Sequence, residues 1–224
     1  MKLLCGDGDP TTSEGLRAIY APPRLPWLRV NMVSSVDGAA TGADGLSGTV
    51  NNKVDVDVFH ALRDLADAVL VGAGTAIAET YQAGGTPIVV VSGRGRVPDD
   101  LRGSEPGAVR LATCSDSPGL TAARDELGAE NVYVVGSSEV DLAALLARLH
   151  DEGLRHLLCE GGPTLLASLL DAGVVDELTH TITPKLLGGD GRRIVTGPPI
   201  DVPVTLASLI EQDGTLLGRW LVGR

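Results

Sequence analysis

The chain has 224 residues, 43% of them hydrophobic, and a formal net charge of −11. An acidic chain is repelled by phosphate backbones, and two Trp, three Tyr and one Phe leave few platforms for stacked bases, so nucleic acid is excluded as a partner. Its three cysteines, Cys5, Cys114 and Cys159, are odd in number and far apart, which fits neither a disulfide framework nor a zinc site.

Residues 1–27, with Pro22, Pro23 and Pro26, read as a loose or short-helical N-terminal arm. They hold no basic start followed by an apolar stretch. No run of about 18 apolar residues follows anywhere. A cytoplasmic chain with no membrane partner and no metal is therefore expected.

The first strand, Leu28–Val33, leaves the core through Ser34-Ser35-Val36-Asp37-Gly38. A carboxylate at a strand's end can bind an amino-pyrimidine edge or supply a proton, which makes Asp37 a catalytic candidate. Asp-Gly is equally good turn chemistry. A helix follows over Asn52–Leu65, where Val54, Val58, Ala61, Leu62 and Leu65 recur at helical spacing and form one buried stripe. Arg63 lies off that stripe and four residues before Asp67. It reads either as half of a surface ion pair or as an anchor for an anionic substrate.

Next comes the strand Ala68–Val71, running into Gly72-Ala73-Gly74-Thr75 and a short helix Thr75–Glu79. Glycines let a ligand approach the backbone, and Thr75 can cap the helix or bond that ligand. The strand Pro87–Val91 ends in Ser92-Gly93-Arg94-Gly95-Arg96. The usual dinucleotide fingerprint places an acid there to hold a ribose. A hydroxyl and two guanidiniums in its place point to a 2′-phosphate, hence NADP, although solvated loop arginines would look the same.

Strands Val109–Thr113 and Asn131–Val135 bracket a helix over Leu120–Leu127. A helix over Val140–Glu152 then buries Leu142, Leu145, Leu146 and Leu149 and closes at Gly153. The strand Arg155–Cys159, whose thiol reads as buried and reduced, stops at Glu160-Gly161-Gly162-Pro163-Thr164-Leu165, and a helix over Pro163–Leu170 begins. Proline suits the first turn, and unpaired N–H groups there suit a pyrophosphate, although a tight turn needs glycine anyway. The closing segments Thr205–Glu211 and Thr215–Val222, joined through Asp213-Gly214, read as a hairpin. His60, His150, His156 and His180 form no nucleophile pattern and read as solvated or core residues.

Alternating strands and helices of this kind predict one α/β domain over residues 1–224. It should be three-layered α/β/α, with a mostly parallel central sheet and antiparallel C-terminal edge strands.

At these residues the chain resembles the reductase domain of bifunctional riboflavin-biosynthesis deaminase/reductases, and more closely the stand-alone pyrimidine reductases. Four pieces carry the likeness, in the family's order: Ser34–Gly38, Leu62–Thr75, Glu160–Leu165 and Pro184–Gly189. The resemblance implies a dihydrofolate-reductase-like fold, NADPH, and a homodimer. It also implies a 5-amino-6-(5-phosphoribosylamino)uracil reductase, which converts a ribosylamino to a ribitylamino side chain on a phosphorylated pyrimidine.

Position by position, the resemblance places NADPH against Thr75, Gly161, Gly162, Pro163, Thr164 and Leu165, with Glu79 where the family often has a cofactor-contacting aspartate and Ser92 at the adenosine end; Gly72, Gly74 and Arg94 join this set from the glycine turn and the arginine-bearing loop read above. Ser47 and Arg63 match substrate-phosphate contacts, and Glu160 matches a substrate contact beside Asp37. The chain departs from the family at Asn31, where a lysine is common, and at Thr49, where a tryptophan is. The arginine that usually follows Glu79 is missing from Tyr81–Thr86, and the His-x-Glu and Cys-x-x-Cys deaminase pattern is missing throughout. A dihydrofolate or dihydropterin reductase, or an NADP-binding dimer without catalysis, remains an alternative.

Overall fold

In the computed structural model, which describes residues 1–223, ten strands alternate with six α-helices. In chain order these are β1 (Lys2–Cys5), α1 (Ser13–Tyr20), β2 (Trp27–Ser35), α2 (Lys53–Leu65), β3 (Ala68–Gly72), α3 (Ala73–Ala78), β4 (Ile88–Val91) and β5 (Val109–Thr113). There follow α4 (Leu120–Leu127), β6 (Val132–Val134), α5 (Leu142–Asp151), β7 (His156–Cys159), α6 (Pro163–Asp171), β8 (Glu177–Thr183), β9 (Val204–Gln212) and β10 (Thr215–Val222).

All ten strands share one sheet in the order β1-β9-β10-β8-β2-β7-β3-β4-β5-β6. From β8 to β6 every neighbouring pair is parallel, while β1, β9 and β10 join antiparallel at one edge. The expected α/β architecture with antiparallel edge strands is the one observed.

Strand interiors are aliphatic on both faces because helices cover both. On one face Val58, Leu62, Val71, Val90 and Leu111 form a core with residues of α1 and α4. On the other, Leu70, Val89, Leu157 and Cys159 pack with Leu145 and Leu149 of α5 and Leu166 and Leu169 of α6. Local signals set the helix starts: the Asn52 side chain accepts the Asp55 N–H at 3.1 Å, and Asp141 accepts that of Ala144 at 2.9 Å.

Two elements differ from expectation. The N-terminal arm contains a strand as well as a helix, since β1 pairs with β9 and α1 packs against α2. β8 lies in a segment that reads as no strand by apolar content, because Thr179, Thr181 and Thr183 occupy its buried positions.

Those threonines are accommodated by polar neighbours, and at the start of β8 the neighbour is charged. Glu177 and Arg29 face each other with both side chains 0% exposed. Arg29 Nε and Nη2 donate to the carboxylate at 2.9 and 3.2 Å, Arg219 Nε and Nη2 at 2.8 and 3.0 Å, and Trp27 Nε1 at 3.2 Å. Burial alone would raise the Glu177 pKa. The two guanidiniums outweigh it and hold the carboxyl below its usual range.

The carboxyl ends of the central strands β2, β7 and β3 point the same way, because these strands are parallel. In open α/β sheets that edge is where ligands bind.

Candidate active site

β3 and β7 are neighbours, so the two glycine turns that follow them meet. The Gly72 N–H donates to the Gly161 carbonyl at 2.8 Å, and the Gly161–Gly162 peptide bond is cis. Gly161 has φ +85, a conformation that glycine adopts freely, and a Cβ there would sit 3.0 Å from Met32 Sδ. At Gly162 a Cβ would lie 2.3 Å from Thr75 Oγ1. The turn that opens α3 and the turn that opens α6 are thus two walls of one groove.

Gly162→Ala is expected to destabilise the fold by about 1–3 kcal/mol through overpacking. Thr75→Ala removes the atom it strikes. Chemical denaturation should show most of the loss recovered in the double variant, whereas two independent losses would contradict this packing.

The groove opens into a cavity of about 960 Å³, a size that suits a cofactor together with a small substrate. Gly72, Gly74, Thr75, Glu79, Gly162, Pro163, Thr164 and Leu165 line it, as do Ser47, Arg63 and Glu160. Most of the residues expected from the sequence are therefore brought together. Glu79 also shapes the rim, since its Oε1 accepts the Ser47 N–H at 2.8 Å.

At the centre, Glu160 is 9% exposed. Arg63 Nε and Nη2 donate to its two oxygens, each at 2.7 Å, and the Tyr81 hydroxyl adds a bond at 2.6 Å. The guanidinium lies 4.5 Å from the Phe59 ring centroid and 5.6 Å from that of Tyr81. Burial opposes its charge, but Glu160 more than compensates and raises the Arg63 pKa. Burial, reinforced by Glu160, raises Tyr81 well above the usual phenol value, so its proton stays on.

Arg63 therefore forms no surface pair with Asp67. Asp67 instead accepts the backbone N–H groups of Arg155 and His156, each at 2.8 Å. A fork between carboxylate and guanidinium is satisfied only at fixed geometry, so the cluster is rigid.

Asp37 stands apart from this group. It is exposed on a turn and is not among the residues lining the cavity. Its carboxylate accepts from Ser35 Oγ at 2.5 Å, Gly188 N at 2.7 Å and Leu187 N at 3.2 Å. These bonds, Ser35's first, lower its pKa to about 2. A group so acidic holds no proton to donate near neutrality, and its lone pairs already hold the 185–189 loop in place.

Ser92 and Arg94 sit at the carboxyl end of β4, which neighbours β3, but outside the cavity lining. Ser92 is buried and its Oγ accepts the Arg96 N–H at 2.9 Å, while Arg94 is exposed. The Cys159 thiol is buried, as expected, and burial pushes its pKa up to about 12.

Among the lining residues that the sequence did not single out are Phe59, Tyr81, Asp55 and Arg192. Asp55 carried a signal, because it lies three and four residues before Val58 and Phe59, beside the buried stripe where a lone carboxylate is costly.

A family model described as the RibD C-terminal domain matches residues 26–216. A 2,5-diamino-6-ribosylamino-4(3H)-pyrimidinone 5′-phosphate reductase from Methanothermobacter thermautotrophicus is 33% identical over 208 residues, which is 88% of this chain and 96% of the relative. The protein of the same name from Archaeoglobus fulgidus is 32% identical over 181 residues, covering 73% of this chain and 83% of its own. Among solved structures, a pyrimidine reductase-like protein from Corynebacterium diphtheriae superposes with a TM-score of 0.74 at 23% identity, over 89% of this chain and 92% of that one. That last likeness shows a shared fold.

Proposed function

The chain belongs to the RibD C-terminal domain family, and from that premise we propose that it is an NADPH-dependent reductase of a phosphorylated ribosylaminopyrimidine. One observation carries the reading: the Gly72–Thr75 and Gly161–Leu165 turns adjoin along one cavity that Arg63 and Glu160 also line. The glycine turns fit a nicotinamide dinucleotide, because Gly74 lines the cavity with open space where a Cβ would stand, so a ligand can come close to the backbone. When bound, the cofactor supplies a hydride.

The chain's own residues bind and orient. Gly72, Gly74, Thr75 and Gly161–Leu165 flank the cofactor, with Glu79 at the rim. Ser92 and Arg94, beyond the end of β4, are assigned to a 2′-phosphate, which favours NADPH over NADH. Arg63 uses two of its donors on Glu160, and a guanidinium has five, so Nη1 remains for a substrate phosphate, with Ser47 in the same cavity lining. Glu160 keeps Arg63 in place and stands against the substrate.

The chemical change is the addition of hydride to the carbon of the opened ribose's C=N bond, while the nitrogen takes up a proton. A rigid fork and a closed groove hold the two reactants in register, which is where most of the rate advantage of such a site arises. A homodimer belongs to the same proposal. None of the described helices is long and apolar enough to cross a membrane.

The test is turnover. Purified protein given the ribosylaminopyrimidine phosphate should consume NADPH, faster than NADH, and form the ribitylamino product by mass spectrometry. Dihydrofolate should be a poor substrate. Asp37→Asn should keep kcat/KM within about threefold, since Asp37 lies outside the cavity. A large loss there would return Asp37 to the chemistry.

A further inference from the structure

The chain between β2 and α2, residues 36–52, contributes Ala40, Thr41, Gly45, Ser47 and Asn51 to the cavity lining. Its middle, residues 41–49, folds on itself. The Gly42 N–H donates to the Leu46 carbonyl at 2.9 Å and the Gly45 N–H to the Gly42 carbonyl at 3.0 Å. The Asp44 carboxylate accepts from the Leu46 N–H at 3.0 Å and from the Thr49 hydroxyl at 2.8 Å. The two limbs touch so closely that a Cβ on Gly42 would sit 2.4 Å from that of Thr49.

No residue of this unit is buried, whereas Ala39 and Ala40 before it and Val50 after it all are. A segment bonded within itself that buries no side chain costs little to move as one piece. Its ties to the rest of the chain are few. Apart from the turn that runs on from Ser47 into Val50 and Asn51, two hydrogen bonds leave it among the described residues. Lys185 Nζ donates to the Thr49 carbonyl at 2.6 Å, next to the buried Val50, and so holds the base.

The second tie is of another kind. The Ser47 N–H donates to Glu79 Oε1 at 2.8 Å, and Glu79 belongs to the end of α3, whose first turn is one of the two glycine corners. Both residues line the cavity, so the bond lies on its boundary. Glu79 itself is fixed, since its N–H donates to the Thr75 carbonyl at 2.9 Å. A carboxylate that accepts from a backbone N–H makes a stronger bond than a neutral acceptor does.

We propose that residues 41–49 are a flap of the cavity, hinged at Ala40 and Val50, and that the Glu79 carboxylate is the catch that holds it shut. Ligands then enter and leave only after the catch has let go, a step that comes before any contact with the binding groups. This goes beyond the reductase reading, because the catch acts on whatever the cavity takes.

The first measurement is hydrogen exchange of the full chain without added ligand, resolved at single amides by NMR. Glu79→Ala removes the acceptor, so the Ser47 amide should exchange about ten- to a hundredfold faster, the worth of one bond to a charged group. Glu79→Gln keeps a neutral acceptor and should fall between. The Gly42 and Gly45 amides are bonded inside the flap and should stay within about twofold of wild type, because the piece swings whole.

The second measurement is stopped-flow binding of NADPH, whose observed rate in wild type should level off with concentration at the rate of opening. Ser47→Pro deletes the N–H without straining the backbone. Proline suits the first position of a helical turn, and Leu46, at φ −104 and ψ 150, already has the conformation required before proline. Ser47→Ala loses the same hydroxyl but keeps the N–H. The plateau should be about tenfold higher in Ser47→Pro than in Ser47→Ala.

Unchanged exchange at Ser47 in Glu79→Ala overturns the catch. Loss of protection at Gly42 and Gly45 as well overturns the flap, since the segment then melts instead of swinging. Equal plateaus in the two Ser47 variants, or a wild-type rate that never levels off, overturn the gating. If NADPH does not bind at all, the reductase reading falls while the exchange data still decide the catch. Should Glu79→Ala fail to fold, Glu79→Gln decides, and an unchanged Ser47 amide there counts against the proposal.

Discussion

Glu160→Gln is expected to lower kcat/KM about a hundred- to a thousandfold while changing the cofactor's Kd by no more than about threefold. The size follows from the surroundings. Glu160 has a side chain 3% exposed and accepts three bonds, two from Arg63 and one from Tyr81. Glutamine keeps the shape but loses the charge, and one of its termini becomes a donor facing donors. Removing one member of a buried, hydrogen-bonded charge pair costs about 2–5 kcal/mol, because the partner is left uncompensated.

Here the stranded partner is Arg63, which would swing away from the position argued for the substrate phosphate. Glu160→Asp keeps the charge and should recover part of the loss. Arg63→Lys should not, since an ammonium cannot form the fork. Steady-state kinetics with a separate cofactor titration distinguishes this from general unfolding, which would lower both. A Glu160→Gln enzyme of near-wild-type kcat/KM would remove the cluster from the site.

Glu177→Ala is expected to cost about 3–5 kcal/mol of folding free energy. Glu177 is the shared acceptor for Arg29, Arg219 and Trp27, and Arg29 is wholly buried. Arg29 keeps the Tyr20 carbonyl at 2.5 Å, and Arg219 keeps that of Ile19, but neither carbonyl carries a full charge. With a typical stability of about 5–15 kcal/mol in total, the variant sits near the threshold of folding.

Acid should act in the same direction. The folded-state pKa of Glu177 is depressed, so its contribution is present above the unfolded value near 4.5 and is lost as pH falls through the lower folded value. Urea denaturation near neutrality and in acid should show the gap between wild type and variant closing as the pH drops through that window. A gap independent of pH would place the loss in packing rather than in charge.

Much of the fold was legible because it rests on periodicity. The stripe Val54, Val58, Leu62 marks α2 within a residue of its observed bounds, and α4 spans Leu120–Leu127 as expected. β8 was not legible, because its buried side chains are threonines opposed to polar partners, so burial was decided by tertiary pairing with β2 rather than by apolar content.

The site shows the same division. Glycine turns advertise themselves locally. The Arg63–Glu160 fork joins residues far apart in the chain, and nothing in the spacing around Arg63 shows that Glu160 rather than Asp67 is its partner. Asp37 lies apart from the cavity for a different reason. A carboxylate beside glycine at a strand's end serves a ligand or a loop equally well, and the nearby N–H groups of Leu187 and Gly188, distant in sequence, decided for the loop.

The place of β2 in the sheet bears on how the chain comes off the ribosome. Both of its neighbours are encoded far downstream: Trp27 aligns with His156 on one side, and Val30 with Leu178 on the other. Until those stretches are synthesised, a nascent chain holds its future central strand with two bare edges, and pairings between such distant partners form slowly. Pairing of β2 therefore waits on segments made far downstream of it, and the long-exposed β2 is the segment with most to gain from a chaperone.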